Sequence, residues 1–135
     1  MAKLGQYNLD EMTAQEAFEA SAIHLLEQSK ASKDNEHSLC AYKTDEGICC
    51  AAAIFIQGYN KSMEGRSWSG LVDVHNQTTT HKVLVHDLQF VHDDDEGVRS
   101  WITNLYTLGA RNRLDTAFLN DWSFNESTNK YEKSN

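Results

Sequence analysis

Two His-Asp dipeptides, His86-Asp87 and His92-Asp93, carry the strongest suggestion of metal chemistry in this sequence, since a neighbouring imidazole and carboxylate can share one divalent cation at a helix end. Phosphohydrolases use such pairs, but together with a further upstream histidine and a distant aspartate, and a dipeptide alone meets only part of that requirement. A small metal-dependent hydrolase acting on a phosphorylated or nucleotide substrate through His86, Asp87, His92, Asp93 and a cysteine is therefore the alternative reading. A second set, His37, Cys40, Cys49 and Cys50, offers nitrogen and sulfur ligands of the kind zinc prefers. Its cysteines lack the C-x₂₋₄-C knuckle of a structural site, so the expectation is reduced, buried thiols and no metal. Catalytic thiol chemistry needs a neighbouring base and a lowered pKa, which no local signature supplies.

The remaining polar residues suit binding better than catalysis. On a helical projection Lys82, His86, Gln89 and Asp93 share one face, opposite Leu84, Leu88 and Val91. A nucleotide-like ligand would meet Tyr42, Lys43, Gln89, His92 and Asp93, with Arg66 on its phosphate; Lys61, Arg111 and Arg113 are further anion contacts. The run Asp93, Asp94, Asp95 and Glu96 lacks the alternating ligands and central glycine of an EF-hand loop, so its expected role is electrostatic, docking on a basic partner. No phosphate-cradling glycine loop or G-x-S-x-G elbow is present. No catalytic residue and no cofactor are expected.

These groups must be positioned by a chain of 135 residues with formal net charge -8, 40% hydrophobic residues and 13 aromatics. That is enough for one core and one domain, and the charge disfavours direct nucleic-acid binding. No apolar run of membrane length and no signal-peptide layout occurs, so a cytoplasmic protein is expected, in the host cytoplasm if phage-encoded, with no membrane partner. Proline is absent, so it interrupts no helix.

Residues 1–12 read as a flexible arm, 13–122 as a single globular domain and 123–135 as a disordered polar tail. Thr13-Ala-Gln-Glu16 is a capping box that opens a helix ending near Ser32, with Phe18, Ala22, Leu25 and Leu26 on its apolar face. Ser38 to Cys50, with a polar turn closing at Gly47, predicts a small β-hairpin. Cys50 to Ile56 predicts a short, closely packed helix ending near Gly58, and Trp68, Leu71 and Val72 a brief helical turn. Thr78-Thr-Thr80 supplies an N-cap for a helix over about 80–93. Val98, Trp101, Ile102, Leu105 and Leu108 form the stripe of another, ending at Gly109. Asp115 caps a last short helix burying Phe118, Leu119 and Trp122. The fold class is α+β, mainly helical, with four to five helices and one small β-hairpin. Trp68, Trp101 and Trp122 would supply an apolar interface if the chain is a homo-oligomer.

Several segments together resemble a family of small uncharacterised proteins of tailed phages and some bacteria. They are Thr13 to Phe18, Cys40-Ala-Tyr-Lys43, Gly47-Ile-Cys-Cys-Ala-Ala-Ala-Ile54, Tyr59, Ser62-Met-Glu-Gly65, Leu88-Gln-Phe-Val-His-Asp93 and Trp101. Family members pair a C-x-Y hairpin with a G-x-x-C-A-x-G-x-L-I segment and a later L-Q-x-x-H-D helix; here Ala53 replaces the second glycine and Phe55 the leucine. The resemblance, over about residues 13–110, implies an accessory protein of phage or bacterial type rather than a reaction. By analogy it implies non-catalytic binding that inhibits a host defence factor, through a basic surface of that protein, or that sequesters a nucleotide-like signal.

Overall fold

The computed structural model describes residues 2–30, 41–44, 47–92 and 97–134. Among these residues are four α-helices, α1 (Ala14–Gln28), α2 (Trp68–Val74), α3 (Lys82–His92) and α4 (Trp101–Arg111), together with short 3₁₀ turns. One antiparallel hairpin, β1 (Trp122–Asn125) and β2 (Lys130–Lys133), completes the mainly helical α+β fold, with Trp122 opposite Lys133 and Phe124 opposite Tyr131. No helix among the described residues is long and apolar enough to cross a membrane.

The capping box forms as its sequence requires: Thr13 Oγ1 accepts from the Glu16 amide and Glu16 Oε1 accepts from the Thr13 amide. α1 then buries Ala17, Phe18, Ala22, Leu25 and Leu26. It stops earlier than its sequence suggests, because Ser29 turns left-handed at φ 49° while its amide bonds the Leu25 carbonyl. The Ser29 hydroxyl both donates to the Leu26 carbonyl at 2.6 Å and accepts from the Tyr131 amide at 2.8 Å, tying the helix end to β2.

The core is organised around residues 49–56, every one of them buried. The helix expected there is only a 3₁₀ turn, Ala53–Phe55, because several backbone groups of this buried segment are bonded from outside. A buried loop must have its polar groups satisfied, and three layers of the fold do so here. From α1, Ser21 Oγ donates to the Ala51 carbonyl at 3.0 Å, while Gln28 Nε2 donates to the Cys49 carbonyl at 3.0 Å and its Oε1 accepts from the Cys49 amide at 3.2 Å. From the N-terminal arm, the Gly5 and Tyr7 amides donate to the Ala53 and Ile54 carbonyls at 3.0 and 2.9 Å. From α3, Gln89 Oε1 accepts from the Ala52 amide at 3.2 Å. At the exit, Gln77 exchanges two hydrogen bonds of 2.9 Å with the Gln57 backbone.

The flexible arm is thus a correction: residues 2–12 are docked. Leu9 is buried, and a Cβ on Gly5, at φ +68°, would stand 2.7 Å from the Ile56 carbonyl oxygen, so only glycine permits this close approach. Asp10 Oδ1 accepts from both Thr78 and Thr80 hydroxyls at 2.6 Å, which depresses its pKa. Those threonines therefore hold the arm instead of capping α3 in the expected way. α3 itself begins at Lys82, after His81 at φ 57°.

The disordered tail is also corrected, for residues 123–134. Tyr131 is buried, its hydroxyl lies 2.6 Å from the Val98 carbonyl and 2.8 Å from that of Arg99, and it accepts from the Ile102 amide at 3.1 Å. The expected Ser38–Cys50 hairpin is reduced, among the described residues, to an isolated Lys43–Cys49 bridge beside the Thr44-to-Ile48 turn. α4 runs on past Gly109, which is a packing position within the helix and not its end. The final short helix is a 3₁₀ turn, Ala117–Asp121, with Asp115 Oδ1 accepting from the Ala117 amide at 2.8 Å. Trp68 and Trp101 lie wholly in the core and Trp122 is half-buried, so the first two are not free to form an intermolecular surface.

Candidate functional site

The ligand residues named from sequence fall into two neighbourhoods. Tyr42, Lys43 and Arg66 meet around Glu64, whose Oε1 accepts from the Tyr42 amide at 2.8 Å and whose Oε2 accepts from the Lys43 amide at 3.2 Å and the Tyr59 hydroxyl at 2.5 Å. Tyr42 is buried, and its hydroxyl donates to the Arg66 carbonyl. The Lys43 and Arg66 side chains stay in solvent at the edge of this cluster. Desolvation, then the adjacent Glu64, pushes the Tyr59 phenol well above its ordinary pKa and holds it protonated as a donor.

Gln89 and His92 belong to α3. Gln89 is half-buried against Ala52, and His92 is buried with its ring 5.8 Å from that of Trp101. The polar face expected for α3 is therefore not uniformly wet: His86 is exposed, whereas Lys82 and Gln89 are half-buried, and Val83 and Phe90 are the strongly exposed positions. Asp87 accepts from Asn112 Nδ2 at 3.3 Å and lies 3.9 Å from Arg111 Nη1. His37, Cys40, Asp93, Asp94, Asp95 and Glu96 lie outside the described residues. Among those described, no group of three or more His, Cys, Asp or Glu side chains is arranged to hold a metal ion.

Sequence reasoning overlooked one residue with chemical potential, His24. It follows Ser21 by three residues and precedes Gln28 by four, so all three lie on one stripe of α1 facing residues 49–53. A polar residue every turn on an otherwise apolar face was the available signal. His24 is 1% exposed, and its Nε2 is 2.9 Å from the Cys49 carbonyl oxygen and 3.6 Å from the thiol sulfur. The carbonyl can only accept, so Nε2 carries the proton and Nδ1, which is buried without a hydrogen-bond partner, presents a lone pair. Burial lowers the His24 pKa and pushes the Cys49 thiol up to about 11. An activated Cys-His couple needs the opposite, a lowered thiol beside a charged imidazole, so this pair is suited to bracing the core. Beside it a cleft of about 180 Å³ is lined by Ala2, Gln6, Tyr7, Ile23, His24 and Glu27.

Comparison with protein-family models, with curated proteins and with solved structures gave no match.

Proposed function

We propose that this chain is a non-catalytic accessory protein of phage type, which docks by its negative charge on a basic surface of a host protein and inhibits it in the cytoplasm. One observation carries the reading. Asp93, Asp94, Asp95 and Glu96 are four consecutive carboxylates, so one run of four residues carries charge equal to half of the formal net charge of -8. The rest of the chain has 16 acidic and 12 basic residues. Charge concentrated in this way steers association with a basic partner and discriminates against acidic ones.

Two features of the structure support binding over turnover. The Glu64 carboxylate is occupied by backbone amides and a phenol, and the His24–Cys49 pair is tuned away from nucleophilic chemistry.

The test is affinity capture from bacterial lysate at low and high salt, using the wild-type chain and a variant with Asp93→Asn, Asp94→Asn, Asp95→Asn and Glu96→Gln. The expected result is a basic protein, retained at low salt, released by high salt and lost by the variant. Equal retention by the neutralised variant overturns the reading. A rise in melting temperature with a nucleotide, and no salt-sensitive partner, would replace it with capture of a nucleotide-like signal.

A further inference from the structure

With Trp68 and Trp101 buried, the large apolar side chains left in solvent on α3 are Val83, 70% exposed, and Phe90, 73% exposed. They stand seven residues, or two turns and about 10.5 Å, apart on one helical strip with exposed His86 between them. The opposite side of α3 is the one that buries Leu84, Val85 and Leu88. We propose that this strip is an interface between two copies of the chain, packed with their α3 helices antiparallel about a twofold axis.

The apolar groups on the strip and its imidazole donor and carboxylate acceptor choose that partner and that direction. A twofold contact pairs each residue with a different one reciprocally, and an axis between His86 and Asp87 sets Val83 against the partner's Phe90 and Phe90 against the partner's Val83. The same register sets His86 beside the partner's Asp87, twice. Asp87, with its side chain 21% exposed, accepts from Asn112 Nδ2 at 3.3 Å and lies 3.9 Å from Arg111 Nη1 of its own chain, and its two carboxylate oxygens keep acceptor capacity for the partner's imidazole N–H. Parallel helices would instead set His86 against the partner's His86, giving its N–H no carboxylate to meet, and would align the two helix dipoles unfavourably. The surface is self-complementary in the antiparallel sense only. One helix face is narrow, below the roughly 1,200 Å² of standard interfaces, so a weak, reversible dimer is expected.

Sedimentation equilibrium of the full chain tests this, at moderate salt so that repulsion between two copies of charge -8 is screened. The apparent mass should rise from 15.3 kDa towards twice that value between protein concentrations of about 10 µM and 1 mM. Phe90→Ser and Val83→Ser should each weaken association at least about tenfold while leaving the melting temperature unchanged, because both side chains are in solvent in the single chain. His86→Asp, which faces a carboxylate with the partner's Asp87, should do the same. A mass of 15.3 kDa at every concentration overturns the proposal. So does a dimer that Phe90→Ser leaves intact, and a dimer indifferent to His86→Asp overturns the antiparallel register.

Discussion

His24 donates its Nε2 proton to the Cys49 carbonyl oxygen across 2.9 Å, and the contact joins the middle of α1 to the start of the buried segment 49–56. Protonating the ring would place an uncompensated charge in the core, and desolvation accordingly lowers the His24 pKa below 6.5. An unfolded chain therefore binds this proton at higher pH than the folded chain does. Stability contributed by neutral His24 is complete above the unfolded pKa and is lost as pH falls through 6.5 towards the folded value. Melting temperature measured from pH 8 to pH 5 should decline on the acid side. His24→Gln, which keeps a donor for Cys49 but does not titrate, should flatten that decline; an unchanged slope would show that other groups set it.

The thiol beside this imidazole should be inert. With its pKa pushed up to about 11 by burial, Cys49 is protonated at pH 8, and Cys50 is buried next to it. Iodoacetamide should leave the tryptic peptide spanning 44–61, which contains both thiols, unmodified in the native protein and label it fully in denaturant. Rapid native labelling of Cys49 would mean that the segment opens readily or that the thiol is activated.

Gly109 illustrates how a sequence signal can have the right residue and the wrong reason. A Cβ at this position would stand 2.3 Å from Thr116 Cγ2 and 3.1 Å from Phe18 Cζ, so the glycine is needed where α4 crosses α1 and the 116 loop. Gly109→Ala gains helix propensity of about 1 kcal/mol. Overpacking costs about 1–3 kcal/mol, so the net effect on urea unfolding should be destabilising. Adding Thr116→Ser removes the nearer clashing methyl and should restore part of the loss, a coupling that unrelated sites would not show.

Glu64 gathers three donors that a neutral amide cannot serve equally well. In Glu64→Gln the amide nitrogen replaces one acceptor, so it must face either the Tyr42 or the Lys43 backbone amide as a second donor, while the Tyr59 hydroxyl can turn to accept. A loss of about 1–3 kcal/mol is expected. The loss should be local as well as global: hydrogen exchange at the Tyr42 and Lys43 amides should accelerate by more than exchange in α1. Uniform acceleration would assign Glu64 a general role in stability instead.

What was legible in the sequence is the part dictated by local chemistry. The Thr13–Glu16 capping box, the buried face of α1 and the stripe of α4 all rest on residues three or four apart, and each formed. What escaped depended on distant partners. Ser29 leaves α1 in a left-handed turn whose hydroxyl meets the amide of Tyr131, 102 residues later, and the 2–12 arm docks through buried Leu9, the Gly5 and Tyr7 amides and the Thr78 and Thr80 hydroxyls on Asp10. Of the proposed ligand residues, Tyr42 and Gln89 turned out to serve the backbone of other segments. A polar side chain chosen for its chemistry looks the same in one dimension whether it meets a ligand or a buried carbonyl.

Residues 123–134 provide the sharpest case, because their polar composition reads as a tail while their structure is a hairpin strand pair tied to the domain through Tyr131 and an Arg99–Glu126 ion pair. Tyr131 brings a hydroxyl to the α4 N-terminus, accepting from the Ile102 amide and directing its proton at the Val98 and Arg99 carbonyls. Its ring packs edge-on against Phe124 at 5.0 Å. Tyr131→Phe keeps the packing and removes the hydroxyl, leaving backbone groups to find water, for a loss of about 1–2 kcal/mol. Deleting residues 123–135 removes the ring too and uncovers the core beneath it, so its melting temperature should fall further than that of Tyr131→Phe. It should also free Ser29, and exchange at the C-terminal turn of α1 should accelerate with it. A deletion as stable as the full chain would show that the hairpin rests on the domain without supporting it.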